Sequence, residues 1–189
     1  MNSESCAYID ESMRVGAGLY VLAAAVVPNH QVGTYRAALR ALLLSKQPRL
    51  HWRDERPKRR LEIVYALAEL SLDVIAVVGT DMQSSKQKRA RRKCMDHLYW
   101  QLAQRRVPHV IMEGRGQAGN KQDLDMVNAL RAQSALPDEM RVEWADPLCD
   151  ELLWLPDILA GVIATAATGD TELLRIIEEG VIIDRLRCG

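Results

Sequence analysis

The chain has 189 residues, 48% of them hydrophobic and 26% charged, with 25 basic residues balancing 25 acidic ones. That length and composition describe a single globular domain, 1–189, with a sizeable core, and exclude a disordered or fibrous chain. Zero net charge removes any global field drawing the chain to nucleic acid or membrane, so either partner would need a local patch.

Cys6, Cys94, Cys149 and Cys188 are far apart and form no CxxC pair, which argues against a zinc site and a disulfide framework. Idle thiols in a reducing compartment follow, and a cytoplasmic location is expected. The N-terminal stretch lacks a basic segment followed by an apolar one, so no signal peptide is expected. The longest apolar run, 19–27, is too short to span a bilayer, and no membrane partner is expected.

Residues 7–12 read as a strand. Residues 19–27, bounded by Gly18 and Pro28, read as a second, and Gly16-Ala17-Gly18 between them as a hairpin turn. A helix follows over 32–44, with alternating apolar and basic positions. A polar, proline-bracketed loop at 48–57 leads into a helix over 58–70. Residues 72–80 (LDVIAVVGT) form a third strand, and 84–106 a long helix whose first half is almost all basic. A fourth strand at 107–113, a helix at 120–133 and a short fifth strand at 140–144 come next. The helix over 152–168 is apolar nearly all round, so it should be buried. Residues 171–177 are helical, and 181–184 have room for a last short strand. The order predicts an α/β fold, a mixed five-stranded sheet with helices on both faces.

Acidic residues recur at strand ends and on the buried helix: Asp10 and Glu11, Glu113, Asp146 and Asp157. Adjacent strand residues point to opposite faces, so Asp10 and Glu11 cannot both serve one site. Asp157 follows Pro156 in the first turn of the buried helix, where the helix dipole favours an anion. Ala160, Gly161 and Ala164 share its face and let the helix approach the sheet closely. A buried carboxylate there needs a cation, a donor or a proton.

Three stretches carry a family likeness: YIDES at 8–12, a later strand ending in acid-x-Arg at Glu113 and Arg115, and LWLPDILAGVI at 153–163. Together they resemble the DUF3800 family of ribonuclease H-like proteins, over most of the chain. The resemblance implies a ribonuclease H-like fold with Asp10, Glu113 and Asp157 as catalytic and metal-binding acids. It also implies Mg2+ or Mn2+ as cofactor and cleavage of phosphodiester bonds in DNA or RNA. Such chemistry suits hard cations, which take carboxylate and phosphate oxygens. Met13 replaces the family's glycine after DES, Glu113 its more usual Asp, and Trp154 and Pro156 its Gln and Ala. These departures motivate an alternative, a catalytically inactive ribonuclease H-like binding module.

His51, in the loop RLHWRDERPKRR, is a candidate auxiliary base, and Asp146 a candidate fourth metal ligand. Arg115, two residues beyond Glu113, and Lys58 are candidate substrate contacts. The basic run 86–93 has the charge for phosphate contacts but spreads around its helix, as a solvated face would. GRGQAG at 114–119 matches GxGxxG between strand and helix, which leaves a dinucleotide-binding protein as the lesser alternative. It follows the fourth strand, and Glu113 would repel a pyrophosphate, so the glycines read as a loop beside the acids.

Overall fold

A computed structural model describes residues 5–189; the first four residues, which fall within the signal-peptide reading, lie outside the described residues. The chain opens with a long hairpin. Strands β1 (Ser5–Arg14) and β2 (Leu19–Pro28) pair antiparallel, from Ser5 opposite Pro28 to Arg14 opposite Leu19. The turn is a 3-10 segment, Val15–Ala17, closed by Gly18 at φ +64, whose amide donates to the Val15 carbonyl at 3.0 Å. Only a residue without a Cβ adopts that left-handed geometry at little cost.

Four more strands complete the sheet: β3 (Val74–Thr80), β4 (His109–Glu113), β5 (Arg141–Ala145) and β6 (Val181–Arg187). The order is β5-β4-β1-β2-β3-β6. β2 and β3 are antiparallel, whereas β1 with β4, β4 with β5 and β3 with β6 run parallel. The sheet therefore has six strands rather than the five expected. Asp184, Arg185 and Arg187 break the apolar run of β6, so its sequence reads as a short stub. At a sheet edge such side chains face solvent without penalty and guard against further pairing. His97 anchors the new strand, its Nε2 lying 2.7 Å from Asp184 Oδ2.

Strand alternation divides the interior into two layers. Tyr8, Val21, Ala23 and Val78 face one layer, covered by α1 (Val32–Ala41), α2 (Pro57–Ala68), α5 (Trp154–Ala167) and α6 (Glu172–Ile177). Ile9, Tyr20, Leu22 and Val77 face the other, covered by α3 (Gln87–Gln104) and α4 (Gly116–Ala132). From Trp154 to Ala164, α5 buries every residue except Asp157, as its all-round apolar sequence predicts. α4 starts at Gly116, four residues earlier than expected, so most of the GRGQAG stretch is the first turn of a helix. Among the described residues, no helix is long and apolar enough to cross a membrane.

Candidate active site

The parallel pairing of β1 and β4 sets Ile9 opposite Met112, so Asp10 and Glu113 emerge side by side at the ends of neighbouring strands. Both follow residues of the α5 layer by two positions: Tyr8 precedes Asp10, and Ile111 precedes Glu113. Their side chains therefore rise on the α5 side, where Asp157 meets them. One cavity of about 260 Å3 is lined by Asp10, Glu113, Asp157, His51, Trp52 and Arg60. The strand alternation that left Asp10 and Glu11 undecided is resolved. Asp10 enters this cavity, while the Glu11 carboxylate crosses to the α3 layer and meets Tyr20 and Arg91.

Electrostatics at this point are crowded. Burial, followed by the charges of Glu113 and Asp157, raises Asp10 well above the usual carboxylate range, against a downward pull from Arg91. Asp10 and Glu113 lie within hydrogen-bonding reach, which favours a proton on Asp10. Burial also raises Asp157, and Glu113 adds to it; the Trp52 amide, His51 and Arg49 pull the other way. The Trp52 N–H donates to Asp157 Oδ2 at 2.7 Å. Arg49 Nη1 stands 3.5 Å from Glu113 Oε1.

The loop before α2 closes over the acids. Trp52 is only 3% exposed and lies so close to α5 that a Cβ on Gly161 would come within 2.0 Å of its ring. Glycine at that position is what admits the indole. Arg60, from α2, stacks its guanidinium 4.8 Å from the Trp52 ring centre and donates to the Trp52 carbonyl at 3.0 Å. The buried Trp52 indole Nε1 has no hydrogen-bond partner among the described residues. A buried donor left so is costly, and a water or ligand oxygen would satisfy it.

Of the other expected residues, only His51 joins these acids. His51 lines the cavity, its Nδ1 3.0 Å from Asp54 Oδ2. Lys58 is exposed on α2 and does not line the cavity; Arg60, two residues on, does. Arg115 does not share a face with Glu113, because β4 ends at Glu113 and the chain turns into α4. Its guanidinium instead reaches Asp123 at 3.4 Å on the α3 side. Asp146 is an exposed turn residue whose Oδ1 accepts from the Leu148 amide at 2.8 Å; it lines a neighbouring cavity with Glu113 and Arg49. Arg49, Arg60 and Trp52 gave no chemical signature in sequence, although the density of Arg and Trp in one polar loop was visible there.

Among the described residues, no group of three or more His, Cys, Asp and Glu side chains is arranged so that it could hold a metal ion. The donors present form no closed protein cage. A pair of adjacent carboxylates, Asp10 and Glu113, fits the habit of magnesium, which uses one or two carboxylates and completes its shell with water and phosphate oxygens.

No protein-family model matches the chain, and no curated protein matches it in sequence. Solved structures do share its architecture. Bst-RNase HIII, solved in complex with Mn2+, is 15% identical with a TM-score of 0.52, over 94% of this chain and 54% of that one. The RNase HII of Archaeoglobus fulgidus, from its complex with PCNA, is 14% identical with a TM-score of 0.53, over 87% of this chain and 77% of that one. At these identities the likeness is one of fold: a ribonuclease H-like mixed sheet covered by helices. The chain spans about half the length of the ribonuclease HIII it matches.

Proposed function

We propose that this chain is a divalent-metal-dependent nuclease or phosphodiesterase acting on nucleic acid, related to the DUF3800 proteins it resembles. The observation that carries this reading is the convergence of Asp10, Glu113 and Asp157. Three carboxylates from β1, β4 and α5 line one cavity, where Asp10 and Asp157 resist ionisation. Crowding like charges is unfavourable unless a cation or a proton relieves it. The shared fold with two nucleases, one of them solved with Mn2+, supports the same reading.

Bound Mg2+ or Mn2+ would supply Lewis-acid stabilisation of a phosphoryl oxygen and activation of water. Asp10 and Glu113 are the residues to hold it. Asp157, fixed through Oδ2 by the Trp52 amide, leaves its other oxygen to take a proton or join the metal's shell. Trp52 Nε1 supplies a donor for a phosphate oxygen or an attacking water. His51, oriented by Asp54, is the proton carrier at the cavity mouth. Arg49 and Arg60 bring positive charge beside a phosphodiester.

The alternative, a binding module that cuts nothing, is motivated by Met13, Glu113, Trp154 and Pro156, which depart from the pattern of the family the chain resembles. One assay separates the two. Labelled single-stranded and duplex DNA, RNA and RNA–DNA hybrid are incubated with Mg2+ or Mn2+ and with Asp10→Asn and Asp157→Asn variants. The expected result is metal-dependent cleavage lost in both variants. Binding of any strand without cleavage by either metal would establish the alternative instead.

A further inference from the structure

The residue next to Asp10 builds a second constellation on the opposite face of the sheet. Glu11 reaches under α3 to Arg91, which is only 8% exposed. Arg91 also grips Asp123 of α4 in two-pronged fashion, Nε to Oδ1 at 2.9 Å and Nη2 to Oδ2 at 2.7 Å, and donates to the Tyr20 hydroxyl at 2.8 Å. This network is the floor of a cavity of about 530 Å3 between α3 and α4, within the range of small-ligand sites.

The rim of that cavity carries unspent charge. Lys88 and Arg92, one turn apart on α3, are exposed and have no carboxylate partner among the described residues. Arg115 leans in from the start of α4, only loosely tied to Asp123 at 3.4 Å and Glu11 at 3.8 Å. Four cations thus face two carboxylates around the cavity, a surplus of two positive charges. The remaining walls mix the polar Gln87 and Gln122 with the soft, apolar Met13 and Met126, backed by the fully buried Met95. Thioethers pack well against the edges and faces of planar rings.

We infer that this cavity binds a phosphate-bearing ligand of nucleotide size, with its phosphate among Lys88, Arg92 and Arg115 and its base against Met13 and Met126. The surplus charge matches a phosphate, and arginine offers paired donors to its oxygens. The inference goes beyond the nuclease reading, since it needs neither a metal nor cleavage. The ligand is either a free nucleotide or one nucleotide of a strand. Met13 and Glu11 line both this cavity and the acidic one, so a strand could cross from one to the other over the end of β1.

Binding of a fluorescent adenosine monophosphate and of a labelled octanucleotide is measured in chelator, with inorganic phosphate as competitor. Three variants accompany the wild type: Lys88→Glu/Arg92→Glu, Met126→Trp and, on the far layer, Arg175→Glu at an exposed cation of α6. Melting curves confirm that each is folded. The site is supported if either probe binds, if both cavity variants weaken it at least tenfold, and if Arg175→Glu leaves it unchanged. Competition by phosphate, with the mononucleotide bound, identifies a free nucleotide as the ligand; binding of the octanucleotide alone identifies a strand. Charge reversal that weakens binding while Met126→Trp does not would mean diffuse surface attraction and would overturn the inference. So would failure of both probes to bind. Neither result touches the nuclease reading, which is judged by metal-dependent cleavage.

Discussion

Replacing Asp10 with asparagine should make the metal-free protein more stable. Two unit charges about 4 Å apart repel by about 4 kcal/mol at an effective dielectric constant of 20. Asp10 and Glu113 are within hydrogen-bonding reach, and Asp157 adds further negative charge. The wild type must bear part of that repulsion or retain a proton. Asparagine keeps a hydrogen-bond donor for Glu113 and removes the charge. Glu113 is 26% exposed, so solvent screens part of the repulsion. The expected gain at pH 8 in chelator is about 1–2 kcal/mol, typical of relieving a strained functional site. For a chain of this size that corresponds to about 2–8 °C in Tm.

The pH dependence fixes the sign. Asp10 has a raised pKa in the folded state, so the fold binds its proton more tightly than the unfolded chain does. Its favourable contribution is fully present below the ordinary carboxylate pKa and is lost as pH rises through the raised value. The Asp10→Asn variant has no such contribution to lose. The stability gap between variant and wild type should therefore be small near pH 4 and widen toward pH 8. Thermal melts across that range in chelator measure it. A variant no more stable than wild type at pH 8, or a gap that does not change with pH, would refute the reasoning. Added Mn2+ should then raise the Tm of the wild type and leave Asp10→Asn unmoved, by mass action on the folded state.

Arg91→Ala should cost about 3–5 kcal/mol in urea unfolding, because it strands the carboxylates of Asp123 and Glu11 without their cation; a loss below about 1 kcal/mol would show the network to be slack. Gly161→Ala should cost about 1–3 kcal/mol through overpacking against the Trp52 ring and should shift tryptophan emission, as the indole is pushed off α5. Brief alkylation of the native protein, read by mass spectrometry, should mark Cys149, the exposed thiol, and spare Cys6, Cys94 and Cys188. Burial pushes the Cys6 thiol up to about 12 and raises Cys94 and Cys188 as well, so little reactive thiolate forms at any of the three.

Much of this architecture is visible in the chain before any coordinates. The apolar runs that form β2 and β3 and the all-round apolar α5 announce buried elements, and period-two alternation places Asp10 and Glu11 on opposite faces. Alternation alone does not say which face meets α5. That is decided by the pairing of β1 with β4, a contact between segments about a hundred residues apart. Arg115 misleads for a local reason: extrapolating β4 by two residues assumes strand geometry that the turn into α4 abolishes. Arg91 is hidden among the cations of the run 86–93. Nothing in the run itself marks the one cation that α3 buries, because its partners Glu11 and Asp123 lie on other elements. Lys58 and Arg60 illustrate the same limit, since the helical phase of α2 exposes the first and brings the second to the cavity.

The back-to-back placement of Asp10 and Glu11 has a consequence for how faithfully the molecule must fold. Sliding β1 by one position against β2 would exchange the two acids. The longer Glu11 would enter the crowd around Glu113, and the shorter Asp10 would fall under Arg91, leaving an inward guanidinium poorly matched. Ten facing pairs and a tight glycine turn hold the hairpin against that slip. A misaligned copy would forfeit its inner ion network and its acidic pocket together. The same error that spoils the chemistry also spoils the stability, so defective molecules unfold rather than persist as sound-looking impostors.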